Sequence, residues 1–105
     1  MKHYCYKLVP PRPTFAEDMT AAEMAAMEKH FAFWSDLVER GEALVYGPVA
    51  DPTGTYGLAV LQVDSEGRLA DIARNDPAVN DAGCRAETYD MPSTIVASSL
   101  AQPSA

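Results

Sequence analysis

Residues His3 to Val9 alternate between two sides, with Tyr4, Tyr6 and Leu8 on one and His3, Cys5, Lys7 and Val9 on the other. A period of two is that of a strand. Pro10, Pro11 and Pro13 end it, because proline lacks the ladder N–H and fixes φ, so Pro10 to Asp18 reads as a stiff, exposed connection. Thr20 followed by Glu23 then fits a capping box, with Met19 and Met24 placed to staple across it. This predicts a helix from near Ala21 that closes at Gly41, where a left-handed residue is expected. On a helical wheel Phe33, Ala26, Leu37, His30, Trp34, Met27, Val38 and Phe31 form one apolar arc, and Glu28, Lys29, Asp36, Glu39 and Arg40 lie opposite.

After Gly41, Ala43 to Val49 and Thr55 to Val63 are two β-rich runs joined by Ala50-Asp51-Pro52-Thr53-Gly54, which predicts a hairpin. Leu69, Ile72 and Ala73 recur at helical spacing behind a Ser65 cap, giving a short second helix that Asn75-Asp76-Pro77 interrupts. A last strand is expected from Cys84 to Met91. The order β-α-β-β-α-β predicts an α+β, ferredoxin-like fold, a four-stranded antiparallel sheet with both helices on one face. Leu58, Val60, Tyr46, Tyr4 and Tyr6 are large and apolar for a sheet face left in water, so a homodimer pairing two sheets is expected. Residues 1–92 form the expected domain and 93–105 a tail rich in small residues.

Length holds the chain to a single core, since 105 residues leave no room for a second. Hydrophobic residues at 48% and charged residues at 22% are those of a folding sequence rather than a disordered one. A net charge of −7 with scattered basic residues argues against a nucleic-acid partner. No run approaches the length of a membrane span and no signal-peptide core follows Met1, so the expected location is cytoplasmic, away from membranes. Cys5 and Cys84 then read as reduced structural thiols.

Chemistry enters with His30, a titratable ring in the middle of an apolar arc. An imidazole buried there loses free energy unless it finds hydrogen-bond partners, and a core histidine satisfied by a carbonyl is the bland account. The functional account is a general acid/base, which needs a carboxylate to orient the other ring nitrogen. Asp51, in the hairpin loop, and Asp76, ahead of Pro77, are the two candidates, and each also suits a turn or cap. Arg12 projects from the proline-rich loop as a candidate clamp for a substrate anion, and Tyr6, Trp34 and Tyr46 are candidates to line a pocket for a flat organic molecule. Ligand spacings for a metal and glycine-rich phosphate loops are absent from the sequence, so no cofactor is expected.

Together the helix carrying His30, the following Gly41, the Gly47-Pro48 strand end, Asp51 and Asp76-Pro77-Ala78-Val79 resemble the YCII-related family, and the opening Tyr4-to-Phe15 run and Asp18-Met19-Thr20 look like one bacterial branch of it. The resemblance covers residues 2 to about 92. It implies a dimeric α+β barrel of two ferredoxin-like protomers, in the superfamily of muconolactone isomerase-like enzymes. It also implies a His-Asp pair in a pocket, with His30 as the histidine and Asp51 the nearer match for the aspartate, Asp76 matching the family's other Asp-Pro. The activities so implied are isomerisation, elimination with dehalogenation, or hydrolysis of a small aromatic or lactone-like metabolite. The alternative is a non-catalytic ligand-binding or regulatory module, since some members accompany sigma factors. The proline-rich first loop and the long tail depart from the better-studied members.

Overall fold

The computed structural model describes residues 1–100. Strands β1 (Lys2–Val9), β2 (Ala43–Val49), β3 (Tyr56–Val63) and β4 (Arg85–Asp90) form one antiparallel sheet in the order β2-β3-β1-β4. Helices α1 (Phe15–Asp18), α2 (Ala21–Glu39), α3 (Glu66–Asn75) and α4 (Pro77–Asp81) accompany it, and a single 3-10 turn covers Ser98–Leu100. This is the α+β, ferredoxin-like arrangement expected from the order of elements. The end of the expected tail, 101–105, lies outside the described residues.

Local signals set the element ends. Thr20 accepts a hydrogen bond from the Glu23 N–H while the Glu23 carboxylate accepts one from the Thr20 N–H, so the capping box closes at the start of α2. Gly41, at φ 76°, ends that helix in the left-handed region that suits glycine. The Ser65 side chain accepts from the Arg68 N–H and caps α3. Asp76 stands between α3 and α4, and Pro77 occupies the first helical position after it, where a missing N–H costs nothing.

The connection from Pro10 to Asp18 is mostly exposed, as expected, but it contains the helical turn α1. Phe15 in α1 is buried in the core, and the Arg12 guanidinium lies over its ring, 5.4 Å from the centroid. The short helix escapes the sequence reading because one turn has too few positions to show a period.

Register decides which side chains meet the helices. Tyr4 pairs with Leu61, Tyr6 with Ala59 and Tyr46 with Ala59, and every one of these residues is buried or half-buried beneath the helices. The expectation that Tyr4, Tyr6 and Tyr46 populate the open face is thus corrected. They occupy the alternate, core-facing positions of β1 and β2. The open face carries Leu58, Val60, Cys5, Val45 and Gln62, with Lys7 and Glu87 among them. On α2 the buried arc narrows to Ala26, His30, Trp34 and Leu37, leaving Phe31, Val38 and Met24 exposed. Cys5 and Cys84 are both free thiols.

Candidate functional site

His30 sits on the third turn of α2, facing the sheet, with no exposed surface at all. Its Nδ1 is 2.6 Å from Asp76 Oδ1. The expectation that Asp51 orients the ring is corrected, since the carboxylate in that place is Asp76. The chain reaches it because the α3-to-α4 junction turns back against α2, burying Asp76 completely.

Asp76 is the hub of the site. Oδ1 accepts from the Ala78 N–H at 2.9 Å as well as from His30, and Oδ2 accepts from the Tyr6 hydroxyl at 2.8 Å and the Trp34 indole N–H at 3.0 Å. Burial alone raises a carboxyl's pKa, but the donors from His30, Trp34 and Ala78 outweigh it and hold Asp76 below its ordinary value, as the anion. The indole and backbone N–H groups can only donate, so both carboxylate oxygens are acceptors. His30 Nδ1 therefore carries a hydrogen, and the neutral ring presents its lone pair at Nε2.

Nε2 faces the hydroxyl of Tyr46 on β2, which donates the hydrogen bond to the neutral ring. The series Asp76–His30–Tyr46 is continuous from buried carboxylate to half-buried phenol. The Tyr46 ring stacks on Trp34 at 4.8 Å and 15°, so packing fixes the phenol's plane. Burial and then the Asp76 charge raise both the Tyr46 and the Tyr6 hydroxyl pKa, keeping both as neutral phenols.

Tyr46 lines two cavities. One, of about 140 Å³ and partly open to solvent, is lined by Leu8, Phe15, Met27, Phe31, Tyr56 and Cys84. The other is a groove of about 430 Å³ on the outer side, bounded by Trp34, Ser35, Val38 and Glu39. Phe31 and Pro48 border both, whereas His30 and Asp76 line neither. Burial followed by the charge of Asp76 pushes the Cys84 thiol up to about 11, so it faces the inner cavity protonated.

The remaining sequence-predicted residues are placed differently. Tyr6 has no exposed surface and gives its hydroxyl to Asp76. Trp34 does the same with its indole while its flank borders the groove. Asp51 closes a loop turn, accepting from the Thr53 N–H at 2.9 Å and the Thr53 hydroxyl at 2.8 Å, and those two bonds lower its pKa. Arg12 donates to Asp18 Oδ1 at 2.8 Å, to the Asp18 carbonyl, and to both oxygens of Glu23 at 2.9 and 2.8 Å. The fork expected to clamp a substrate is already filled by this chain. Arg12 and Asp51 border a separate cleft of about 250 Å³ beside Lys7.

Gly57 is a site residue that periodicity did not single out. A Cβ there would stand 2.7 Å from the Tyr46 hydroxyl and 3.2 Å from Leu8 Cβ. Its absence leaves the space through which the phenol reaches His30. A glycine inside an otherwise β-rich run was the available signal, because such a residue often marks a close approach. Among the described residues no three His, Cys, Asp or Glu side chains gather as a metal site requires, and no helix is long and apolar enough to cross a membrane.

No curated protein matches the chain. The model of the YCII-related domain matches residues 1–91, a span that includes Tyr6, His30, Tyr46 and Asp76, and the chain therefore belongs to the YCII-related family.

Proposed function

We propose that this protein is a small-molecule enzyme in which His30, held by Asp76, serves as general acid/base in an isomerisation, an elimination with loss of halide, or a hydrolysis of a small aromatic or lactone-like metabolite. The observation that carries the reading is the Asp76 hub: four donors on one buried carboxylate fix the imidazole's tautomer and turn its free nitrogen toward the lining of two cavities. A ring that only filled core space would need none of this, and a carbonyl would satisfy it. Catalysis by a positioned acid/base contributes about 10²- to 10⁴-fold.

A panel of chlorinated hydroquinones, enol lactones and aryl esters, assayed with the native chain and His30→Ala, tests the reading. A substrate turned over by the native chain and slowed at least about 100-fold in the variant supports it. Equal turnover by the two sinks it. A ligand-binding or regulatory module, including one associated with a sigma factor, is the second reading, favoured by the absence of any exposed surface on His30. Tight binding of a panel member without turnover is the outcome that selects it.

The same reading has the protein act in the cytoplasm as a homodimer whose sheets face each other. In its support, the open face carries Leu58, Val60 and Val45.

A further inference from the structure

The acid/base pair and the cavities are not in contact with each other. His30 has no exposed surface, Asp76 has none, and neither lines either of the two cavities that Tyr46 borders. The group His30 Nε2 binds is the Tyr46 hydroxyl, and Tyr46 lines both cavities. The surroundings of that phenol are built for one position. Trp34 fixes its plane by stacking, and Gly57 clears the space its hydroxyl occupies.

The inner cavity also restricts what Tyr46 meets. At about 140 Å³ it matches the apolar cavity size of about 150 Å³ that accepts a benzene ring. None of its lining side chains carries a charge, and its polar groups are the Tyr46 and Tyr56 hydroxyls, Thr55 and the Cys84 thiol. An anionic or cationic substrate would give up part of its water there with no counter-charge from the lining, which disfavours it against a neutral one.

We infer that Tyr46, rather than His30, is the catalytic residue that meets the substrate, and that the substrate is an uncharged single-ring molecule bearing a hydroxyl or carbonyl oxygen. The inference rests on the acid/base reading of His30 and Asp76 and deepens it. In the basic direction a substrate C–H or O–H bond breaks as a new O–H bond forms on Tyr46. The proton Tyr46 held moves at the same time onto His30 Nε2. The electron pair stays on the substrate, and the imidazolium so formed is balanced by the Asp76 carboxylate. The acidic direction is the reverse, with Tyr46 giving its proton to the substrate oxygen and recovering one from His30. Both keep the phenol neutral throughout, in accord with the burial that disfavours a free tyrosinate.

The test uses the full chain labelled with ¹³C at tyrosine Cζ and ¹⁵N in histidine, titrated with phenol and separately with benzoate at neutral pH. Tyr46→Phe keeps the stacked ring and removes only the hydroxyl, and Gly57→Ala keeps the hydroxyl and obstructs its place. Phenol is expected to shift the Tyr46 Cζ resonance and, through it, His30 Nε2, while benzoate binds at least 10-fold more weakly. In Tyr46→Phe, phenol still binds and the His30 resonance stops responding. With any substrate the chain turns over, both variants lower kcat by about 10²-fold or more and alter KM less than about threefold.

A His30 resonance that follows phenol equally in Tyr46→Phe overturns the inference, as does a Tyr46 resonance blind to phenol or undiminished kcat in folded Tyr46→Phe. Benzoate binding as tightly as phenol overturns the substrate class. Turnover that survives His30→Ala defeats the acid/base reading instead, while the phenol contact of Tyr46 is measured independently of it.

Discussion

At the scale of single residues, Asp76 shows how a structural and a chemical role coincide. Its place before Pro77 is that of a helix cap, and the cap bond to the Ala78 N–H is present. The same carboxylate orients His30, so the two accounts do not compete. Replacing it with asparagine would put an amide NH₂ in place of one oxygen, facing either the Trp34 indole N–H or the Ala78 N–H, each itself a donor. Removing one partner of a buried, hydrogen-bonded charge pair costs about 3–5 kcal/mol, so Asp76→Asn is expected to lower stability by that order in urea unfolding. The sign with pH follows from the direction of the shift. Because the folded pKa of Asp76 lies below its ordinary 3.8, its contribution is fully present above that value and is lost as the pH falls through the lower folded one. Glu42 acts alike, its pKa held at about 2, below its ordinary 4.5, by the Arg68 guanidinium against the opposing effect of burial. The native chain is thus expected to lose stability from about pH 4.5 downward, and Asp76→Asn to show a shallower decline, in unfolding curves recorded from pH 7 to 2. A decline of equal depth in both would remove Asp76 from this account.

Elements carry the geometry that no single residue encodes. Helix α2 reads clearly from its capping box, its apolar arc and Gly41, because each of these signals is local. Helix α1 does not, although its Phe15 helps enclose the inner cavity. What holds α1 against the start of α2 is Arg12, whose fork grips Asp18 and Glu23 while it covers Phe15. The sequence reading of Arg12 as a substrate clamp fails on occupancy, since free arginine donors are a property of neighbours and not of the residue. The structure gives Arg12 the work of fixing the cavity wall. Exposed ion pairs contribute little, so Arg12→Ala is expected to leave the urea unfolding midpoint close to native. Phenol affinity should fall a few-fold with kcat unaltered, as the wall loosens. A direct clamp would instead show its loss only with anionic ligands, which the same titration with benzoate measures.

For the whole molecule, the face of the sheet away from the helices sets the next question. The described residues leave Val45, Tyr89 and Ile95 exposed, and small domains bury too little surface to leave apolar area in water at no cost. Light scattering at micromolar concentration is expected to give a mass twice the 11.3 kDa of the chain, and a charge placed on the open face by Val60→Asp to halve it. A monomer in the native protein would leave the sheet face without a partner copy. The sequence by itself determined the elements and their order, the helix arc bearing His30 and the α+β class, because periods, caps and turns depend on neighbours along the chain. It marked His30 as the oddity and offered two carboxylates. Which one serves the ring, and that Tyr46 lies between the ring and the cavities, only the tertiary structure decided. Residues 46 positions apart meet through strand register and the angle at which α4 returns to α2, and no local pattern records either.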